Sequence, residues 1–77
     1  MKVYTFQIGD GNGQDIEAVL HAETLGADNL VQAIAKAKAI TNARPWRKDE
    51  NTVRLFEELE GDSQIMWFRP VEIVRDA

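Results

Sequence analysis

Few side chains in this 77-residue chain are of a kind that does chemistry, and their spacing decides which chemistry is open to them. His21 is the single histidine, and there is no cysteine. With Glu23 it forms an H-x-E pair of the sort zinc deaminases use, but those enzymes also need a P-C-x-x-C that this chain lacks. One histidine without thiolates leaves too few nitrogen and sulfur ligands for an ordinary zinc site within one chain. The pair is expected on the solvated side of a strand. Ser63 is the only serine, and it has neither G-x-S-x-G surroundings nor a second histidine to orient a base. Glu57, Glu58, Glu60 and Asp62 supply carboxylates, but a working acid and base need an enclosed cleft that separates their pKa values. On a hairpin tip these charges keep the strands soluble and discourage edge pairing. No set of nucleophile, base or metal ligands converges, so the chain is read as non-enzymatic, with no cofactor and no metal.

The glycine-rich run Gly9-Asp10-Gly11-Asn12-Gly13 has the composition of a phosphate cradle. Such cradles place their glycines between a strand and a helix N-terminus, whereas here a strand follows and no lysine closes the motif. Asp10, Asn12, Gln14 and Asp15 also imitate part of a calcium loop. An EF-hand wants glycine at the sixth position and a bidentate glutamate at the twelfth, where this chain has Asp15 and His21. A mobile hairpin loop is the expectation.

Arg44-Pro45-Trp46-Arg47-Lys48, with Lys36 and Lys38 nearby, is the one local basic cluster. A base stacked on Trp46 beside phosphate-binding Arg47 and Lys48 would suit a single strand. The simpler account is that these cations complement a helix C-terminus while Trp46 plugs the end of the core. The formal net charge of −4 favours that account, because polyanion binding needs a basic surface. Nucleic acid is therefore not the expected partner. A regulatory role on nucleic acid through Lys36, Lys38, Arg44, Trp46, Arg47 and Lys48 stands as the alternative.

The elements that must carry these groups are legible from periodicity. Lys2 to Ile8 alternates, with Tyr4, Phe6 and Ile8 on one side, and Ile16 to Glu23 alternates again, so strand, loop and strand make a hairpin. Asn29 with Gln32 has the spacing of a capping box, and Leu30, Ala33, Ile34, Ala37 and Ile40 form one apolar stripe. The helix should end near Asn42, a candidate left-handed stop, with Pro45 disfavouring helical geometry at Arg44. Thr52 to Leu59 and Gln64 to Arg69 read as two further strands, with a break at Pro70 and a resumption of pairing over Val71 to Val74. The fold class is α+β: one four-stranded antiparallel sheet with one helix on one face, in the order β-β-α-β-β, as a single domain spanning 1–77. If the third strand lies beside the first, every neighbour is antiparallel and the second and fourth strands are the edges. The helix run Asp28 to Lys38 resembles the helix of HicB-type antitoxins, which also follows N-terminal strands. The Pro- and Gly-bearing segment that precedes the helix in those antitoxins is missing here. The resemblance therefore carries no family assignment.

The last strand, Gln64-Ile65-Met66-Trp67-Phe68-Arg69, is apolar on both faces, while one helix covers only one face of a small sheet. A surplus apolar face and a short, cysteine-free chain both point to association, most simply a homodimer or a protein partner. The candidate interface comprises Val3, Thr5, Val19, Phe56, Met66, Trp67 and Phe68, on the sheet face opposite the helix or at the edge of the last strand. Which parity of the last strand faces the helix is open, because a bulge would reverse it. No apolar stretch reaches signal-peptide or membrane-spanning length, so a bacterial or phage cytoplasm is the expected location, with no membrane contact.

Overall fold

A computed structural model describes residues 1–76. In chain order the elements are β1 (Lys2–Gly11), β2 (Ile16–Ala27), α1 (Leu30–Ala43), β3 (Thr52–Leu59), β4 (Asp62–Pro70) and α2 (Val71–Asp76). The four strands form one antiparallel sheet, so the fold is α+β. Their spatial order, β2-β1-β3-β4, sets β3 beside β1 and leaves β2 and β4 at the edges.

The alternation of β1 sends Tyr4, Phe6 and Ile8 into the core, where they meet Val53 and Leu55 of β3. Helix α1 lies over them on Ala33 and Ala37, both 0% exposed. Alanine at these positions lets the helix axis approach the sheet, while Leu30, Ile34 and Ile40 flank the contact. Asn29 caps the helix by accepting the Gln32 N–H at 2.9 Å. The reciprocal bond is displaced by one residue: Gln32 Oε1 accepts from Asp28 N rather than from Asn29. The helix stops without a left-handed residue. Asn42 instead bonds back to Lys38 O, and Arg44 turns extended (φ −84, ψ 145), as a residue before proline prefers.

The C-terminal segment departs from the expected strand. Val71 to Asp76 forms α2, whose Val71 and Val74 join the core on the α1 side. Arg75 donates to the Thr41 carbonyl, which also accepts the Arg44 N–H, and to the Arg44 carbonyl, tying α2 to the end of α1. Strand β4 also begins two residues earlier than the sequence suggests, at Asp62, after a tight turn in which Gly61 takes φ 77. That left-handed angle is accessible to glycine at little cost.

Bulges set which side chains reach which face. On β4, Leu55 pairs with Trp67 but Phe56 pairs with Ile65, so Met66 is the extra residue. Met66 and Trp67 consequently pack on the helix side, and Ile65 and Phe68 belong to the opposite face. On β2, Leu20 and Glu17 are the extra residues. The simple alternation expected for Ile16 to Glu23 is therefore broken: His21 and Glu23 share the helix-side face with Ile8 and Phe6, while Val19 and Ile16 lie with Gly9 and Gly11 on the other.

Candidate functional site

Both helices pack on one face; over the other, the β1–β2 loop covers only the end at Thr52 and Pro70, where Gly13 bonds to Thr52, and Asp15 reaches Arg54. The rows of that second face follow from the register. Thr24, Thr5, Phe56 and Ile65 make one row, and Ala22, Gln7, Arg54 and Phe68 the next. Val3, Val19 and Ile65 are each 46% exposed, and Phe68 is 37% exposed. The polar groups among them bond to one another. Arg54 donates to Asp15 Oδ1 and to Gln7 Oε1, both at 2.8 Å, and its guanidinium lies 5.1 Å from the centre of the Phe56 ring. Thr5 Oγ1 donates to Glu58 Oε1 at 2.7 Å. A face whose polar groups are already paired loses less on being taken out of water. Arg54 Nε, buried against this face, has no partner among the described residues.

Of the sequence-derived interface residues, Val3, Thr5, Val19, Phe56 and Phe68 come together here. Trp67 does not: it is 7% exposed and sits in the core beneath the helices. Met66 is half-buried in its bulge and packs on that same core. Ile65 was missed as an exposed member, because strict alternation pairs it with Trp67 and only the bulge separates them. The sheet edges are poor templates for further strands. Strand β2 is interrupted by two register shifts, and β4 carries a bulge and ends in Pro70.

The basic segment is dispersed by its partners. Arg44 donates from Nε and Nη2 to the two oxygens of Glu50, at 2.9 and 2.6 Å, and the Glu50 side chain is only 4% exposed. This bidentate bond holds the Glu50 carboxyl below the usual carboxylate range and raises Arg44, with burial opposing both shifts. Arg47 pairs with Asp49 at 3.2 Å. The Lys36 ammonium donates to Gly26 O, and Lys38 is exposed. Trp46 is 67% exposed and plugs nothing, because α2 closes that end of the core instead.

The glycine-rich loop is pinned rather than loose. Asn51 receives the Gly11 N–H at Oδ1 (2.9 Å) and donates from Nδ2 to Asp10 (2.9 Å). Gly13, at φ 89, donates its N–H to Thr52 Oγ1 at 2.9 Å and packs on Pro70. Asn12 Oδ1 accepts from the N–H groups of Gln14 and Asp15, forming a local turn. Sequence spacing does not reveal Asn51, because its bonds reach back about 40 residues.

His21 and Glu23 approach to 2.7 Å at the rim of the helix-side face, each partly exposed. Among the described residues no group of three or more His, Cys, Asp or Glu side chains is placed to hold a metal ion. Nor is any described helix long and apolar enough to cross a membrane. No protein-family model, curated protein or solved structure matches this chain.

Proposed function

We propose that this is a small binding protein without enzymatic activity, which self-associates through the sheet face opposite its helices. The supporting observation is the one-sidedness of the core: α1 and α2 share a face, and the other presents Val3, Ile65 and Phe68 near half-buried Phe56, with Val19 further along the same face. Face contact is favoured over edge pairing because both edge strands are bulged. The surface of 4787 Å² is that of a compact monomer of this mass, for which size scaling gives roughly 4700 Å². Association therefore rests on what the face is made of, not on excess area. An interface of ordinary size takes about 800 Å² per partner, roughly one sixth of this surface.

Light scattering coupled to size exclusion tests the reading. Wild type should be dimeric, and Phe68→Glu should be folded and monomeric, because the charge enters the contact and not the core. Trp67→Glu, the adjacent position in sequence but on the other face, should fail to fold, since it buries an unpaired carboxylate. A wild type that stays monomeric at millimolar concentration refutes self-association.

A further inference from the structure

A second surface lies between the β1–β2 loop, the connection from α1 to β3, and the start of α2. There a half-open groove of about 380 Å³ is walled by Asn12, Trp46, Arg47, Lys48, Pro70 and Glu72, which is within the size range of small-ligand clefts. We propose that this groove takes one nucleotide unit, its base stacked on Trp46 and its phosphate between Arg47 and Lys48.

Three observations favour that chemistry. First, the 67% exposed indole of Trp46 offers a flat aromatic surface to whatever enters. Its backbone is held on both sides. Pro45 fixes one flank, Arg44 is clamped to Glu50, and Glu50 N–H bonds to Arg47 O at 3.1 Å. Little ordering is then lost on binding. Second, the groove wall carries two cations and one free amide against a single carboxylate. Lys48 has no ion-pair partner among the described residues, Arg47 is held only by exposed Asp49, and the Asn12 amide nitrogen has no hydrogen-bond partner there, while Glu72 is the one carboxylate in the wall. An aromatic surface beside clustered donors matches a flat ligand rich in acceptors and carrying negative charge. Third, the opposite wall is rigid, because Gly11 and Gly13 are tied to Asn51 and Thr52.

The same contacts limit affinity. The N–H groups of Gly11, Asn12 and Gly13 are all engaged within the protein, so side chains alone must hold the phosphate. The net charge of −4 opposes approach of an anion, and binding should be weak and sensitive to salt.

The test titrates the full chain with adenosine monophosphate and, separately, with a short single-stranded oligonucleotide at low salt. Calorimetry and tryptophan fluorescence are read together, Trp67 being a buried background. Saturable binding with quenching is expected, weakened about tenfold or more by Trp46→Ala and by Lys48→Ala in calorimetry. Both positions are exposed, and unchanged thermal melts establish that the variants remain folded. Binding of the mononucleotide identifies a free nucleotide as sufficient, whereas binding of the oligonucleotide alone identifies a strand. Absence of binding to either at millimolar ligand, affinity unchanged in Trp46→Ala, or equal binding of polyglutamate overturns the proposal. Because Trp46 lies outside the sheet face, loss of this binding leaves the oligomeric state as it was, and the two readings fail separately.

Discussion

Removing the Asn51 side chain measures how firmly the β1–β2 loop is fastened to the fold. In the native chain Asn51 makes backbone bonds to Gly9 O (3.1 Å) and from Val71 N (2.8 Å), which Asn51→Ala retains. The side chain adds four more: Oδ1 accepts from Gly11 N at 2.9 Å and from Thr52 Oγ1 at 2.8 Å, and Nδ2 donates to Asp10 at 2.9 Å and, at 3.5 Å on the exposed side, to Lys48 O. Asp10 is exposed and exchanges its lost bond for water at little cost. The Gly11 N–H is part-buried and the Thr52 hydroxyl is 0% exposed, so both lose an acceptor where water is scarce. At about 1–3 kcal/mol for a buried group left unpaired, discounted for partial access at Gly11, the loss should be roughly 2–4 kcal/mol. Domains of this length hold on the order of 4–12 kcal/mol in total. The drop should be plain in the urea midpoint and should lower the melting temperature by about 10–25 °C. Amide exchange at Gly11 and Gly13 supplies the local readout, and protection there should fall before it falls in β1. The conservative variant Asn51→Asp separates the two ends of the amide. It keeps the acceptor but sets a second carboxylate against Asp10, so its deficit should shrink as pH drops through the carboxylate range. A loss under about 0.5 kcal/mol for Asn51→Ala, with Gly11 still protected, would refute the pinned loop.

The Arg44–Glu50 pair gives a pH signature. Because the folded pKa of Glu50 is depressed, its contribution is fully present above the unfolded value of about 4.5 and is lost as pH falls through the lower folded value. Arg44→Ala should cost about 1–3 kcal/mol at neutral pH, because the Glu50 carboxylate loses its partner in a part-buried site, and the deficit should narrow in acid; equal deficits across that range would show that the pair is not what stabilises the connection. Ala37→Leu should destabilise by about 1–3 kcal/mol by wedging α1 away from the sheet, while Lys38→Leu, on the exposed side of the same helix, should shift the urea midpoint little; equal effects would mean that α1 is rotated about its axis.

What periodicity could reveal, it revealed through contacts that are local in sequence. The stripe of α1, the hairpin of β1 and β2 and the alternation of Val53, Arg54, Leu55 and Phe56 each follow from neighbours a few residues apart. The departures have a different origin. Val71-Glu72-Ile73-Val74 is rich in β-branched residues and reads as a strand, yet its Val71 and Val74 lie three apart and face the core as one helical turn. Tertiary burial decides there, and local propensity does not. The bulges at Glu17, Leu20 and Met66 leave no mark in composition, although each one moves every later residue to the other face. Asn51 is invisible for a further reason. Its identity suits any turn, and only the closed sheet brings Gly11 and Asp10 within its reach.

The bulge at Met66 resolves how a strand apolar on both faces fits a sheet covered on one. It turns two consecutive large residues, Met66 and Trp67, toward the helices, where Trp67 completes the layer over Leu55. The remaining pair, Ile65 and Phe68, is left on the uncovered face beside Phe56 and Arg54. The β1–β2 loop then joins that face to the groove. Asp15 holds Arg54 on the face at 2.8 Å, and two residues earlier Gly13 rests on Pro70 in the groove wall. Asn51 fastens the same loop from behind, so a single side chain steadies the borders of both surfaces. If the face is a contact between copies, Asn51→Ala should weaken the dimer as well as the monomer, because the released loop takes Asp15 with it and leaves the Arg54 charge unpaired in the interface. A variant that loses monomer stability but keeps its dimer constant would place the contact away from the Arg54 row, toward Val3 and Ile65.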